Sequence, residues 1–309
     1  MPAHRMNGIF CIVLALMCFS ALDTTTKFVS TTAPVVMALW LRCLVQTVLT
    51  GAVLWPSRRA SLFSTRRLLL QLVRGLLLIS CSSISYFSLR VMQVGEFTAI
   101  AMLTPLWLTV VAALTLHERV SWLRWLCVLG GFAGSMIVIR PGMDLFHWAL
   151  LLPLLLVLVL ANTVFQALTS RMAKTEDAGT MHFYTGLVGL LVTSTALPWA
   201  WQLLPGTVWA AIGLMALLGT FGHFMLIMAY SRAPVAVLTP YLYLQIAFAT
   251  LGGWLVFAHV PDAGSLAGIT LMAFCGVFGT WLNGREVLAR RRLAAPESSI
   301  AAIAGADAN

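Results

Sequence analysis

Ten runs of apolar residues follow one another along the chain, at 7–28, 35–55, 68–89, 97–116, 123–140, 147–169, 180–198, 207–229, 235–257 and 264–284, with short polar connections between them. A helix needs about 20 apolar residues to cross a hydrocarbon core. None of the runs alternates apolar and polar positions as a half-buried strand does, and unpaired backbone cannot face lipid, so each predicts a helix. The expected fold class is an all-α membrane protein of ten transmembrane helices. The first run follows His4 and Arg5 and has the look of a signal-peptide core over Gly8 to Leu22. It is also the span that gives the two halves equal numbers, so it is expected to be kept.

The pattern repeats. Shifting the numbering by 141 pairs Val94 with Val235, Thr98 with Thr239, Leu103 with Leu244, Thr109 with Thr250 and Leu114 with Leu255; a shift of 144 pairs Met37 with Met181, Val48 with Val192 and Ala52 with Ala196. A long fixed period points to a duplicated architecture. Five spans per half is an odd number, so the second half must enter the membrane from the side opposite to the first. The expectation is two inverted five-helix repeats, residues 1–142 and 143–286, followed by a disordered cytoplasmic tail at 287–309 whose Pro, Ser, Ala and Gly provide no lipid-length run. Inverted repeats of this kind build many secondary transporters, with the substrate site near the midplane where the halves meet.

Composition agrees with a membrane protein: hydrophobic residues make up 60% of the chain and charged residues 9%, against roughly a quarter charged in soluble domains. The net charge of +9 does not point to nucleic acid, because the basic residues sit in short connections without interleaved aromatics. Their distribution sets topology instead. With a cytoplasmic N terminus, Arg5, Arg58, Arg59, Arg66, Arg67, Arg119, Arg124, Arg171, Lys174, Arg232, Arg285, Arg290, Arg291 and Arg292 share its side, whereas Lys27, Arg90 and Arg140 fall on the other and Arg42 and Arg74 lie within spans. Both termini are therefore expected in the cytoplasm. The cysteines at 11, 18, 43, 81, 127 and 275 lie within apolar runs and form no CxxC pair, so neither a disulfide framework, a zinc site nor another metal or cofactor is expected. No GxxxxGK[ST] loop, HExxH or GxSxG occurs, which argues against ATP as energy source and against an enzyme.

The segment GEFTAIAMLTPLWLTVVAALTLHERVSWLRWLCVLGGFAGSMIVIRPG at 95–142, preceded by the span containing Arg42 and echoed by APVAVLTPYLYLQIAFATLGGWLVF at 233–257, resembles the EamA-type transporters of the drug/metabolite transporter superfamily. Pro105, Glu118–Arg119 and the RPG at 140–142 carry the likeness, which covers roughly residues 7–285. The resemblance implies ten helices in two inverted repeats, a central cavity lined mainly by helices 1, 3, 4, 6, 8 and 9, and residence in the cell (inner) membrane. The second repeat of such proteins often has an acidic residue like Glu118; His259 stands there instead. The function implied is alternating-access transport of a small organic metabolite. Relatives carry amino acids, drugs or metabolites, and the first half is similar to members that carry S-adenosylmethionine or riboflavin. The rival readings are an intramembrane enzyme acting on lipid-linked substrates and a flippase subunit.

Ionisable groups inside a bilayer are expensive, about 2.5–3.5 kcal/mol on insertion scales, and each needs a partner or a wet cavity. Asp23, Lys27 and Arg42 are read as one cluster, either neutralising itself to hold helices 1 and 2 together or acting as a gate and charged-substrate contact. Glu96 either favours the positive end of helix 4 or couples protons. Polar residues four apart share a helix face: Ser82, Tyr86 and Arg90; Asn162, Gln166 and Ser170; Tyr241 and Gln245. Tyr86, Trp107, Asn162, Gln166, His223, Tyr241 and Gln245 are the candidate substrate contacts, with helix-to-helix hydrogen bonding as the alternative role for each polar one. Glu118 beside Arg119 and Arg124 reads as a structural ion pair. The Gly130/Gly134 step permits close helix packing or a dimer contact, so a monomer or weak homodimer is expected, with the lipid bilayer and a small-molecule substrate as partners.

Overall fold

The computed structural model describes residues 3–104, 106–107, 122–139, 145–233, 238, 241–279, 281–282 and 285. Among them there is no strand, and the helices are α1 (Ala3–Ser30), α2 (Val35–Arg58), α3 (Leu68–Val91), α4 (Val94–Ala101), α5 (Trp122–Ile139), α6 (Leu145–Met172), α7 (Ala178–Ala200), α8 (Gly206–Arg232), α9 (Leu244–Phe257) and α10 (residues 263–279). Six segments are long and apolar enough to cross a membrane, namely Asn7–Ser30, Val35–Arg58, Leu68–Val91, Leu151–Met172, Ala178–Ala200 and Gly206–Arg232; the apolar stretches in α5, α9 and α10 are shorter. His117, Glu118, Arg119, Pro105, Pro240, the RPG at 140–142 and the tail from Glu286 onward lie outside the described residues.

The helices wear the solvent preference of a lipid-facing bundle. Large apolar side chains point outward, Leu69 at 73% exposed and Leu255 at 68%, while Arg42, Gln46, Gln71, Arg74, His182 and Gln245 are buried. Polar groups thus collect inside, where protein can satisfy them. Threonines on α1, α2, α7 and α8 spend their hydroxyls on the carbonyl four residues back, as Thr24, Thr47, Thr185 and Thr220 do at 2.7–2.9 Å.

Packing runs between sequence-distant helices. α1 lies along α8, α3 against α6 and α7, α2 against α7 and α8, and α4 against α9. Small residues make the close approaches possible. The Gly130/Gly134 step sits against Cys275 and against Gly268 and Met272 of α10, so this step serves packing within the chain. At Gly75 an added Cβ would fall within 3.0 Å of all three Val188 side-chain carbons, and a β-branched valine has no rotamer freedom to yield.

The fourth and ninth spans are each interrupted by a turn among the described residues. α4 stops at Ala101 and turns at Met102 and Leu103, just before Pro105. A proline has no N–H to give to the carbonyl four residues earlier, which for position 105 is that of Ala101. The Thr104 hydroxyl donates to that carbonyl instead, at 2.6 Å. In the other half Tyr243 forms a turn and α9 proper begins at Leu244, shortly after Pro240.

Gly75→Ala should overpack the α3–α7 crossing and cost about 1–3 kcal/mol, read as a lower melting temperature of the detergent-purified protein. An unchanged melting temperature for Gly75→Ala would show the crossing to be loose.

Candidate functional site

Two features of the fold, the breaks near Pro105 and Pro240 and the inward turn of polar side chains, meet at a cavity of about 140 Å³ between the helices. α1 contributes Phe19 and Asp23, one turn apart on the same face. α2 contributes Arg42, α3 Ser82 and Ser85, α4 Phe97, α6 Asn162, Phe165 and Gln166, α8 His223, and α9 Gln245. Asp23, Arg42, Asn162, Gln166, His223 and Gln245 are therefore brought together from among the sequence candidates.

An acid and a base face this space without joining. Asp23 Oδ2 accepts from Gln245 Nε2 at 3.4 Å, and Arg42 Nη2 donates to Ser82 Oγ at 2.7 Å. The Arg42 stem rests on Gly219, where an added Cβ would lie 3.2 Å from its Cδ, and its Nε is buried without a partner. Among the described residues the ion pair that closes is Arg58–Asp177, at 2.7 Å; Asp23 and Arg42 do not. Lys27 leaves the expected cluster altogether. Its ammonium donates to the carbonyls of Leu89 (3.2 Å) and Met92 (2.5 Å) and lies 5.8 Å from the Phe257 ring centroid. The last carbonyls of α3 have no intrahelical donors.

His223 is held edge-on to Phe19, with centroids 4.8 Å apart, and faces Phe165 at 6.4 Å. Its Nδ1 is 2.8 Å from Gly219 O; a carbonyl only accepts, so Nδ1 carries the proton and Nε2 is left as an acceptor. Beside it a chain of hydrogen bonds crosses three helices. Tyr230 Oη donates to Gln166 Oε1 (2.9 Å), Gln166 Nε2 to Asn162 Oδ1 (3.4 Å), Asn162 Nδ2 to Thr104 Oγ1 (3.3 Å) and Thr104 Oγ1 to Ala101 O. The stripe on α6 thus both borders the cavity and ties α8 to the break after α4.

The remaining candidates sit elsewhere. Tyr86, 2% exposed, donates to Ala33 O at 2.6 Å, joining α3 to the end of α1. Trp107 and Tyr241 are partly buried against the main apolar core. Glu96 accepts from Ser265 Oγ at 3.3 Å, which links α4 to α10. Sequence reasoning missed Phe19, Phe97 and Phe165, the aromatic part of the lining. Phe19 stands four residues before Asp23, a signal that a search for polar stripes alone passes over. No group of three or more His, Cys, Asp or Glu that could hold a metal ion occurs among the described residues.

The chain is similar to several known proteins. Residues 6–140 match the EamA-like transporter family. Over 270 residues the chain is 24% identical to the S-adenosylmethionine uptake transporter of Rickettsia felis, covering 86% of this chain and 90% of that protein. It is 28% identical over 201 residues to the riboflavin transporter of Vibrio cholerae, covering 63% and 65%. The pseudopaline exporter of Pseudomonas aeruginosa is 25% identical over 280 residues, covering 86% and 93%. The family match covers the first part of the chain, and the relatives together support a small-molecule transporter. Among solved structures, one crystal structure aligns with a TM-score of 0.66 at 15% identity, over 91% of this chain and 98% of the other, a likeness of fold alone.

The cavity combines what a carrier of small molecules asks for: apolar and aromatic walls with a few convergent polar groups. The broken α4 leaves Thr104 as the hinge point of the polar chain. Thr104→Val should strand the Ala101 carbonyl and cut the link to Asn162, costing about 1–3 kcal/mol. Thr104→Ser should stay near wild type in thermal unfolding; equal melting temperatures for Thr104→Val and wild type would contradict the assignment.

Proposed function

We propose that this protein moves a small organic metabolite bearing both a cationic and an anionic group through the central cavity by alternating access. The carrying observation is that Asp23 and Arg42 face one cavity without pairing. A buried charge left without its counter-ion is costly, and a solute with one group of each sign supplies both. Phe19, Phe97 and Phe165 add faces for a flat ring. The relatives named for S-adenosylmethionine, riboflavin and pseudopaline support a metabolite of that size. A cavity of about 140 Å³ is smaller than the roughly 300–1,000 Å³ of pockets for drug-sized ligands, so loading requires the helices to part.

Two inverted five-helix repeats, 1–142 and 143–286, are the frame we assign to that motion. Several observations support it. The pairings α1 with α8 and α3 with α6 are each a first helix of one repeat against a third of the other, and α2 with α7 and α4 with α9 join equals. The turn at Met102 and that at Tyr243 differ by the same 141 residues as the sequence repeat, and Gly75 and Gly219, each crowded by the second helix of the opposite repeat, differ by 144. The protein lies in the cytoplasmic membrane with the N terminus inside. The Arg58–Asp177 bridge and the Thr65–Glu176 hydrogen bond at 2.8 Å favour this, because they keep two connections assigned to the cytoplasm on one side. Gly130 and Gly134 being occupied by α10, a monomer suffices.

Proteoliposomes should take up labelled S-adenosylmethionine above empty vesicles, and take it up faster than riboflavin, which carries no charge; uptake of riboflavin alone would overturn the requirement for charged groups. Asp23→Asn and Arg42→Gln should each lower that flux by about tenfold or more, the loss of one charge-assisted contact, while Glu118→Gln has little effect. Equal losses from Asp23→Asn and Glu118→Gln at matched expression would sink the assignment of Asp23. Cysteines placed at Arg58 and Thr175 should label from the same face in intact cells; opposite faces would undo the inverted frame.

A further inference from the structure

Arg74 on α3 is 0% exposed, and the cavity does not include it. Its Nη1 donates to Thr169 Oγ1 at 3.4 Å, its Nη2 bonds to Met181 O and Thr185 Oγ1, and its guanidinium lies 5.7 Å from the Phe165 ring centroid. Every one of those partners is neutral, and no carboxylate pairs with Arg74 among the described residues. Gln71, one turn earlier on the same face and also 0% exposed, has both amide atoms without partners; so do Arg74 Nε and His182 Nε2. A cation enclosed by neutral acceptors, with spare donors around it, is an environment short of negative charge.

Phe165 belongs to two neighbourhoods. It lines the cavity beside His223, and it carries Arg74 against its ring. Ser82, which anchors Arg42, lies eight residues after Arg74, about 12 Å along α3. One helix thus connects two buried guanidinium groups, one at the cavity and one towards the end of the bundle with the Arg58–Asp177 bridge, with an aromatic ring between cavity and second cation.

We propose that Arg74 is a second station for the carboxylate of the transported solute, closed from the cavity by the Phe165 ring. The role in transport rests on the function proposed above. When α6 shifts and the ring swings aside, the solute carboxylate leaves Arg42 and takes the place of Thr169 and Thr185 on Arg74, with Gln71 Nε2 as a further donor. The two arginines then serve opposite-facing states of the carrier, and a solute lacking an anion passes the Phe165 partition poorly.

Two arms test this on the full-length protein in liposomes. In the first, phenylglyoxal modification of Arg74 is followed by mass spectrometry. Phe165→Ala, or Phe165→Leu where alanine fails to fold, should raise the rate at Arg74 by about tenfold, and acetate but not chloride should slow it again. An Arg74 that stays unmodified, or a rate indifferent to acetate, overturns the station. In the second, Arg74→Gln should keep the thermal shift given by S-adenosylmethionine but lose about tenfold in flux, and Arg74→Lys should recover part of it. Arg74→Gln carrying at the wild-type rate overturns the proposal. Absence of flux from wild type with both S-adenosylmethionine and riboflavin instead removes the transport reading, and the station's part in it, while the modification arm still reports whether Arg74 takes a carboxylate.

Discussion

A hydrocarbon surround satisfies no hydrogen bond, and nearly every feature of this chain answers to that constraint. The backbone must close its bonds within helices. Threonines along α1, α2, α7 and α8 return their hydroxyls to their own helix, and charged and amide side chains turn inward, leaving leucine and valine to face outward. Hydrophobic attraction between helices contributes little when the solvent is itself apolar, so the bundle is held by close packing at glycines and by inter-helix hydrogen bonds. Gly75 against Val188 and Gly134 against α10 are two places where this packing leaves no room for a side chain.

The same constraint makes the interruption of α4 informative. Pro105 denies the Ala101 carbonyl its helical donor, which in lipid would be an orphaned acceptor. Thr104 donates to it, Asn162 donates to Thr104, and the chain continues through Gln166 to Tyr230. The break can therefore exist only where other helices surround it, and that enclosed place is the cavity. The turn at Met102 and the cavity lie together, since Ala101 and Met102 line it.

Charge placement follows a parallel logic. Lys27 finds the terminal carbonyls of α3, which need a cation-like donor and hold it in place. Asp23 and Arg42 have only an amide and a hydroxyl, and Arg74 has hydroxyls, a carbonyl and a ring. Lys27 is spent on structure, whereas the other three keep bonding capacity that a solute of complementary charge could use.

How much of this was legible along the chain depends on the range of the interaction concerned. Apolar run lengths determined the helices and their lipid environment, because crossing a hydrocarbon layer is a property of a continuous segment; Asp23, Arg42 and His223 stood out for the same reason, as polar groups inside such segments. Spacing put Asn162 with Gln166 on one face, and α6 presents that face to the cavity. What spacing could not supply was the neighbour across the gap. Asp23 and Lys27 share a face, yet one meets Gln245 of α9 and the other the end of α3; Tyr86 sits one turn from Ser82, yet its hydroxyl goes to Ala33. Phe165 became part of the site only because α6 lies where its ring can touch both His223 and Arg74. The sequence alone determined which residues must be hidden from lipid, since that is a matter of solvation; only the tertiary structure decided what each would meet there, since helices far apart in the chain supply the partners.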